Sequence, residues 1–357
     1  MKKLYTVEIN TKQILERYDF FNKIATKHNS KLMVGLKDGT NGWGNKEAYN
    51  FFKSRGITSF FWAYPGEIMV DGIWDDETTE KFAWTWTPDA DLLKIKNLTL
   101  VCSNRAQIDF CKTNSIPYYV WFDVGMTRNG FILEDNEGYD FGGKEINVFG
   151  HCPYSEHRVK IYENNVYKLL DDLKERGFTI KDTSFLASNP LAVCDKYDCD
   201  DKIFGTYCRI SMGLTSNYNN DSVEPKNYYP KVVKTWVMNV RNIPKDAKEF
   251  PIGYDDLDAV ALGVGRVAVL PVGYYHFAGI NSVYILGRVC KVLAYMQDSM
   301  VVNITYMEAT DDEVLAAPVE LIGPHTYSYN RIGNRYSDFS SLQYKLDENI
   351  CDIKYND

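Results

Sequence analysis

The chain of 357 residues is 45% hydrophobic and 25% charged, ordinary globular values, and is long enough for two domains without disulfide or metal staples. A formal net charge of −8 with no concentration of Lys and Arg excludes a nucleic-acid binder, whose affinity rests on neutralising phosphates. No run of about 18 apolar residues marks a membrane span. The opening Met1–Glu8 lacks the apolar segment of a signal peptide, so a soluble, cytoplasmic protein is expected.

Lys3–Ile9 reads as a strand. From Thr11 to Lys27 a threonine cap followed by Ile14, Leu15, Tyr18 and Phe21 predicts an amphipathic helix. Short apolar runs then recur: Leu32–Lys37, Ser59–Tyr64, Phe82–Thr87, Leu98–Ser103, Tyr118–Val124, Asn147–Cys152, Ser184–Asn189 and Thr206–Gly213. Each is continuous rather than alternating, as in strands covered on both faces. Helical patterns at Lys46–Lys53, Arg105–Asn114 and Arg158–Arg176 lie between them. Eight runs with interleaved helices fit an α/β fold, a (β/α)8 barrel over residues 10–220; a doubly wound open sheet would give a similar pattern. Asn217–Asn227 is polar and turn-rich, a natural linker. Beyond it the runs Val232–Val240, Arg266–Leu270, Val283–Leu286, Met300–Thr305 and Val319–Ile322, punctuated by Gly and Pro, predict a mainly β domain over residues 226–357, joined by the strand in residues 1–9.

The eight cysteines are dispersed, and Cys194, Cys199 and Cys208 fit no tight zinc spacing, so free thiols and no metal are expected. Reactive groups of a barrel sit at the C-terminal ends of its strands. Those ends offer Lys37, Arg128, His151, Ser188 with Asn189, and Arg209. A lysine closing an apolar strand is unusual, because desolvating an ammonium is costly. The same desolvation lowers its pKa, which suits a Schiff-base lysine; the alternative is a side chain that reaches out to solvent. The glycines of Asp38-Gly-Thr-Asn-Gly-Trp-Gly44 let backbone approach a ligand closely. Tyr254, between Gly253 and two aspartates, reads by itself as an exposed turn residue, and Met296 as a core residue.

Several segments, in order along the chain, resemble the alanine racemases. These are Leu32–Gly44 (LMVGLKDGTNGWG), Asp123–Phe131 (DVGMTRNGF), Arg209–Gly213 (RISMG), Ile252-Gly-Tyr254, Leu270-Pro-Val-Gly-Tyr274 and Met296–Met300 (MQDSM). The resemblance implies a barrel with a β domain, a pyridoxal 5'-phosphate cofactor, a homodimer with shared active sites and a small amino-acid substrate, alanine or a related one. It further implies that Lys37 carries the cofactor and acts as one acid/base, with Tyr254 of the partner subunit as the other. Two bases on opposite faces are what inversion at Cα requires. Arg209 would face the pyridine nitrogen, and as a permanent cation would leave that nitrogen unprotonated. Arg128 and the backbone at Met296 would bind the substrate carboxylate, Tyr274 would line the entry, and His151 would tune Arg209.

The pattern also departs from the family. Asn41 stands where a phosphate-binding tyrosine is usual, a second such tyrosine is replaced by Asp352 or missing, and Trp121 stands where a carbamylated lysine holds the substrate arginine. The usual Asn-Ser phosphate contact reads Ser188-Asn189, so the phosphate would lean on backbone amides around Ser211 and Met212. The function expected is an amino-acid racemase of divergent sequence. A degenerate cofactor-binding homologue is the first alternative. A decarboxylase on the same scaffold is the second, but Arg209 stands where such enzymes place an acid.

Overall fold

The computed structural model describes residues 3–37, 40, 43–70, 72–152, 158–211, 214, 229–254, 257–274, 276–277, 279–326 and 351–356; Asn41, Met212 and the 217–227 linker lie outside them. The described residues divide into two compact units, one of Leu15–Leu214 and one of the residues up to Ile14 together with those from 229 onward.

The first unit is a parallel barrel. Its strands are β2 (Lys31–Gly35), β3 (Ser59–Trp62), β4 (Glu80–Ala83), β5 (Leu98–Cys102), β6 (Tyr118–Trp121), β7 (Glu145–Phe149), β8 (Thr179–Ser184) and β9 (Tyr207–Ile210). Each strand from β2 to β7 pairs with the next, and β9 returns to β2 with Met33 opposite Arg209. The circle closes just past β8: the Ser188 N–H donates to the Arg209 carbonyl (2.7 Å) and the Arg209 N–H to that of Leu186 (3.1 Å). Inward-facing Met33, Phe61, Phe82, Trp84, Val101, Tyr119, Trp121 and Phe149 fill the interior, making it a packed core rather than a pore.

The helices follow their apolar spacing. In α5 (Val159–Glu175), Val159, Tyr162, Val166, Leu169, Leu170 and Leu173 are buried along one face. The helix α4 (Arg105–Thr113) is capped by Asn104, which accepts from the Gln107 N–H (3.0 Å). The first helix, α1 (Thr11–Lys27), differs from the threonine cap expected. Asn10 is its cap, accepting from the Gln13 N–H (3.0 Å), while the Thr11 hydroxyl donates to the Asn356 carbonyl (3.2 Å). The other barrel helices are α2 (Asn45–Ser54), α3 (Gly66–Val70), α6 (Asn189–Lys196) and α7 (Asp201–Phe204).

Two strands begin earlier than their apolar runs. In β4, Glu80 and Lys81 are strand residues: Glu80 ion-pairs with Lys31 (2.7 Å), and the buried Lys81 ammonium donates to the carbonyls of Asp76, Thr79 and Lys96. In β8 the strand is the polar Thr-Ile-Lys-Asp-Thr-Ser, and the apolar Phe185 and Leu186 lie beyond it. Satisfied charges at strand starts thus look like loop in the sequence.

The second unit carries a nine-stranded sheet with two neighbouring strands in an extra hairpin. The sheet comprises β1 (Tyr5–Asn10), β10 (Lys231–Trp236), β11 (Asn239–Asn242), β14 (Arg266–Leu270), β15 (Ser282–Ile285), β16 (Arg288–Tyr295), β17 (Met300–Asn303), β18 (Pro318–Ile322) and β19 (Cys351–Asn356). The hairpin is β12 (Pro251–Ile252) with β13 (Leu257–Asp258). Alternation of buried and half-buried residues in β1 and β10 marks strands with one face on a core. A capping box between Thr310 and Glu313 opens the short helix α8 (Asp311–Ala316).

Candidate active site

The barrel-unit candidates sit where the chain leaves the C-terminal ends of the strands. Lys37 follows β2 by two residues and is half-buried. The Leu36 N–H donates to the Phe61 carbonyl (2.8 Å), and the Lys37 carbonyl accepts from Thr40 (3.0 Å). The Lys37 ammonium lies 5.8 Å from the centre of the Trp84 ring, close enough for attraction to the π face. Gly35 lets this corner close: a Cβ there would run into the Phe61 ring and come within 2.6 Å of Ser211 Cβ. Ser211 is buried, and its N–H donates to the Ser188 hydroxyl (3.2 Å).

Arg209 is the least expected side chain of the interior. It is 2% exposed, and its guanidinium carbon lies 3.9 Å from the centre of the Phe149 ring. One Nη donates to the carbonyls of Gly150 (2.8 Å) and Phe185 (3.0 Å). Its Nε has no hydrogen-bond partner, and no carboxylate among the described residues pairs with it. Burial drives its pKa down, to about 9. The Phe61, Trp84, Phe149 and Trp121 rings form a continuous floor, with centroid separations of 4.9, 6.2 and 4.9 Å in that order. Lys37 stands over one ring of this floor and Arg209 over the next.

His151 follows β7, with Nδ1 3.5 Å from the same Arg209 Nη. Burial first, then the positive charges of Arg209, Lys37 and Arg128, hold its pKa well below the usual histidine range. The ring is therefore neutral at pH 7. A guanidinium only donates, so Nδ1 is the acceptor and the ring proton resides on Nε2. Arg128 is exposed in the loop after β6 and has no hydrogen bond or ion pair among the described residues. The region thus gathers Lys37, Arg128 and Arg209 around His151, positive groups suited to an anionic ligand.

Three non-glycine residues with positive φ flank these groups: Thr40 (53°), Thr127 (52°) and Ser188 (52°). A β-branched residue in this region is strained, and such strain concentrates at functional sites. Asn189 opens α6, but its side chain lies outside the described residues, as do Asn41 and Met212.

The β unit brings its own three candidates together. Tyr254 is 74% exposed in the turn after β12, as its sequence context predicts. A Cβ on Gly253 would meet that of Ala294 at 2.7 Å, and Met296 packs on the cluster containing Ile252 and Ala294. The Tyr274 N–H donates to the Met296 carbonyl (2.9 Å). Asp352 is exposed on β19, opposite Thr6.

Sequence reasoning gave no role to Trp84, Phe149 or Asp123. Only the aromatic density of the FAWTWT run hints at Trp84, and the pairing of Phe149 with a distant arginine needs the closed barrel. Among the described residues no helix is long and apolar enough to cross a membrane, and no three metal-binding side chains converge.

No protein-family model matches the sequence, and no curated protein matches it by sequence. Solved structures do match it along its full length. Alanine racemase from D-cycloserine-producing Streptomyces lavendulae superposes with a TM-score of 0.76 at 12% identity, over 100% of this chain and 98% of that one. Alanine racemase from Bartonella henselae with covalently bound pyridoxal phosphate gives 0.75 at 16%, over 99% and 100%. Alanine racemase from Clostridium difficile 630 gives 0.75 at 18%, over 100% and 97%. The barrel that carries Lys37 and Arg209, with the β sheet that follows it, has the fold of these alanine racemases, at low sequence identity to them.

Proposed function

We propose that the protein is a pyridoxal-phosphate-dependent amino-acid racemase acting on alanine or a related amino acid. The observation that carries this reading is Arg209: a guanidinium buried in the barrel floor with an orphaned Nε and no carboxylate partner among the described residues. A protein does not hold a charge this way for stability. A pyridine nitrogen fits the need, being an acceptor that leaves the cation intact. The rest of the rim fits the same group. Lys37 supplies a primary amine at the end of β2, and Ser188 and Ser211, brought together beside the end of β9, are candidates to hold a phosphate. When bound, the cofactor would supply the electron-withdrawing ring that acidifies the substrate α-proton.

The chain's own groups would do the rest. Lys37 Nζ takes or returns the α-proton on one face, and the Tyr254 hydroxyl of the partner subunit in a homodimer does so on the other. A tyrosine has an ordinary pKa near 10 and needs neighbouring positive charge to work as a base. Arg128 binds the substrate carboxylate, with the backbone at Met296 as a second contact and Tyr274 at the entry. Neutral His151 accepts from Arg209 and fixes its orientation without competing for a proton.

The test is α-proton exchange in D2O, followed by NMR over a panel of L-amino acids with added pyridoxal phosphate, together with chiral analysis of the products. Exchange accompanied by the D-enantiomer is expected. Lys37→Ala is expected to lose the visible absorbance of lysine-bound cofactor, and persistence of that band would remove Lys37 from its role. Tyr254→Phe is expected to keep the band and lose inversion; unchanged racemisation would refute the two-base reading. A second reading, a cofactor-binding homologue without turnover, draws on Asn41 and Asp352 at the places of phosphate tyrosines. Silence across the panel with cofactor bound would favour it.

A further inference from the structure

The loop that presents Arg128 is organised by one carboxylate. Asp123, directly after the first residue beyond β6, turns a single oxygen, Oδ1, onto three consecutive backbone N–H groups: Gly125 (2.9 Å), Met126 (2.9 Å) and Thr127 (3.2 Å). Its own N–H donates to the Phe131 carbonyl (3.0 Å), and the Phe131 N–H donates to that of Trp121 (2.7 Å). The segment from Asp123 to Phe131 is therefore tied at its base and filled from within by the carboxylate. Gly130, at φ 108°, lies against Trp121, where a Cβ would approach the indole Cδ1 to 2.6 Å. Thr127 is held at φ 52°, immediately before Arg128.

This arrangement decides what Arg128 is free to do. A carboxylate five residues away is a natural ion-pair partner for a guanidinium. Here one oxygen of that carboxylate takes three backbone donors, and Arg128 remains exposed without a hydrogen bond or ion pair among the described residues. Charge-assisted bonds to backbone N–H groups are among the stronger ones in proteins. The negative charge thus shapes the loop instead of neutralising the arginine.

We infer that Asp123 is the positioning residue for Arg128, folding the 123–131 loop so that an unpaired guanidinium is offered to the substrate carboxylate. The inference rests on the proposed role of Arg128 as carboxylate receptor. It adds that the receptor is oriented through the backbone, with no side chain gripping the guanidinium itself. The interaction that matters is acceptance of N–H bonds by Oδ1, which an amide oxygen reproduces and a methyl group does not.

The test uses the full chain with pyridoxal phosphate added. The probe is propionate, a carboxylate without an amino group, whose dissociation constant is measured by saturation-transfer NMR. Asp123→Ala is expected to weaken propionate about tenfold or more, while cofactor absorbance and the unfolding midpoint of the barrel stay near wild type. Asp123→Asn is expected to keep most of the affinity. Asp123→Ser, with one shorter acceptor, should fall between them, and it serves the same purpose if the alanine variant does not fold. In turnover the same loss should appear in KM with kcat little changed. Wild-type propionate affinity in Asp123→Ala, or equal losses in the Ala and Asn variants, would overturn the inference. So would failure of the wild-type protein to bind propionate. Absence of racemisation while the propionate series holds would instead count against the proposed reaction and leave the positioning role standing.

Discussion

Replacing Arg209 by methionine should leave the barrel nearly as stable as before and remove its ability to hold the cofactor. Deleting a large buried side chain ordinarily costs about 2–5 kcal/mol. Arg209 should be different, because its contributions oppose each other. Its two bonds to the Gly150 and Phe185 carbonyls are worth about 1.5–3 kcal/mol each as hydrogen bonds from a charged donor. Its placement over the Phe149 ring adds about 1–2 kcal/mol. Against these stands removal of an ion without counter-charge from water, an effective penalty of several kcal/mol. The downward pull on its pKa reflects that penalty. The sum lies close to zero, and methionine fills most of the volume on the aromatic floor. The expected change in unfolding free energy is within about 1 kcal/mol, measured by urea denaturation without cofactor. Tryptophan fluorescence suits the purpose, since six of the seven tryptophans, all but Trp236, lie in the barrel unit. A loss above about 3 kcal/mol would show that the arginine is a structural anchor. It would also remove the reason for assigning it to a ligand.

Two further predictions concern the frame around the site. Gly35→Ala places a methyl group into the Phe61 ring and Ser211 Cβ; it should cost about 1–3 kcal/mol and weaken cofactor binding together with stability. Wild-type stability of that variant would mean that β2 and β9 do not approach as closely as described. Beneath the barrel, burial raises the pKa of Asp76, but hydrogen bonds from Lys53, Tyr49 and Thr78 outweigh it and hold the carboxyl well below the usual range. A carboxyl depressed in the folded state stabilises above its unfolded pKa, about 3.9, and loses that contribution as the pH falls. Asp76→Asn should therefore cost about 2 kcal/mol at pH 7, and the gap to wild type should begin to narrow below about pH 4 and vanish only as the pH falls through the depressed folded-state pKa. A gap independent of pH would place the effect in packing instead.

Much of the architecture is legible because strands buried on both faces declare themselves as unbroken apolar runs. Seven of the eight such runs overlap their barrel strand by two or more residues. The eighth overlaps only at Ser184, because β8 spends Lys181 and Asp182 within the strand itself. In the β unit, Arg266–Leu270 is found as read, whereas β16 escapes notice: its buried Cys290, Val292 and Ala294 alternate with exposed or half-buried residues instead of forming a run. The helix cap of α1 is misread by one residue because threonine and asparagine are both good caps and stand side by side. The candidate site was legible as single residues at strand ends. Its relations were not, since the floor linking Lys37 to Arg209 joins Trp84 to Phe149, 65 positions apart, through contacts that exist only in the closed barrel. Asp123 was visible inside a recognised segment, but its choice of backbone over Arg128 is a matter of loop geometry that composition does not encode.

The pairing of β1 has a consequence for how the chain must be made. Every barrel strand from β2 to β7 finds a partner in the next strand synthesised, and β9 completes the circle by residue 210. The neighbours of β1 are β10 and β19. Glu8 and Lys234, ion-paired across the first of these seams, are 226 positions apart, and Thr11 and Asn356, which share a hydrogen bond, are 345 apart. On a ribosome adding about 5–20 residues per second, the barrel can finish while β1 still waits. Through that interval the strand carries an apolar face of Tyr5, Val7 and Ile9 and two open edges, the features that recruit strands from other chains. Yield of soluble protein should therefore depend on how quickly translation delivers residues 231–236 and 351–356, a kinetic demand set by topology and invisible in the stability of the finished fold.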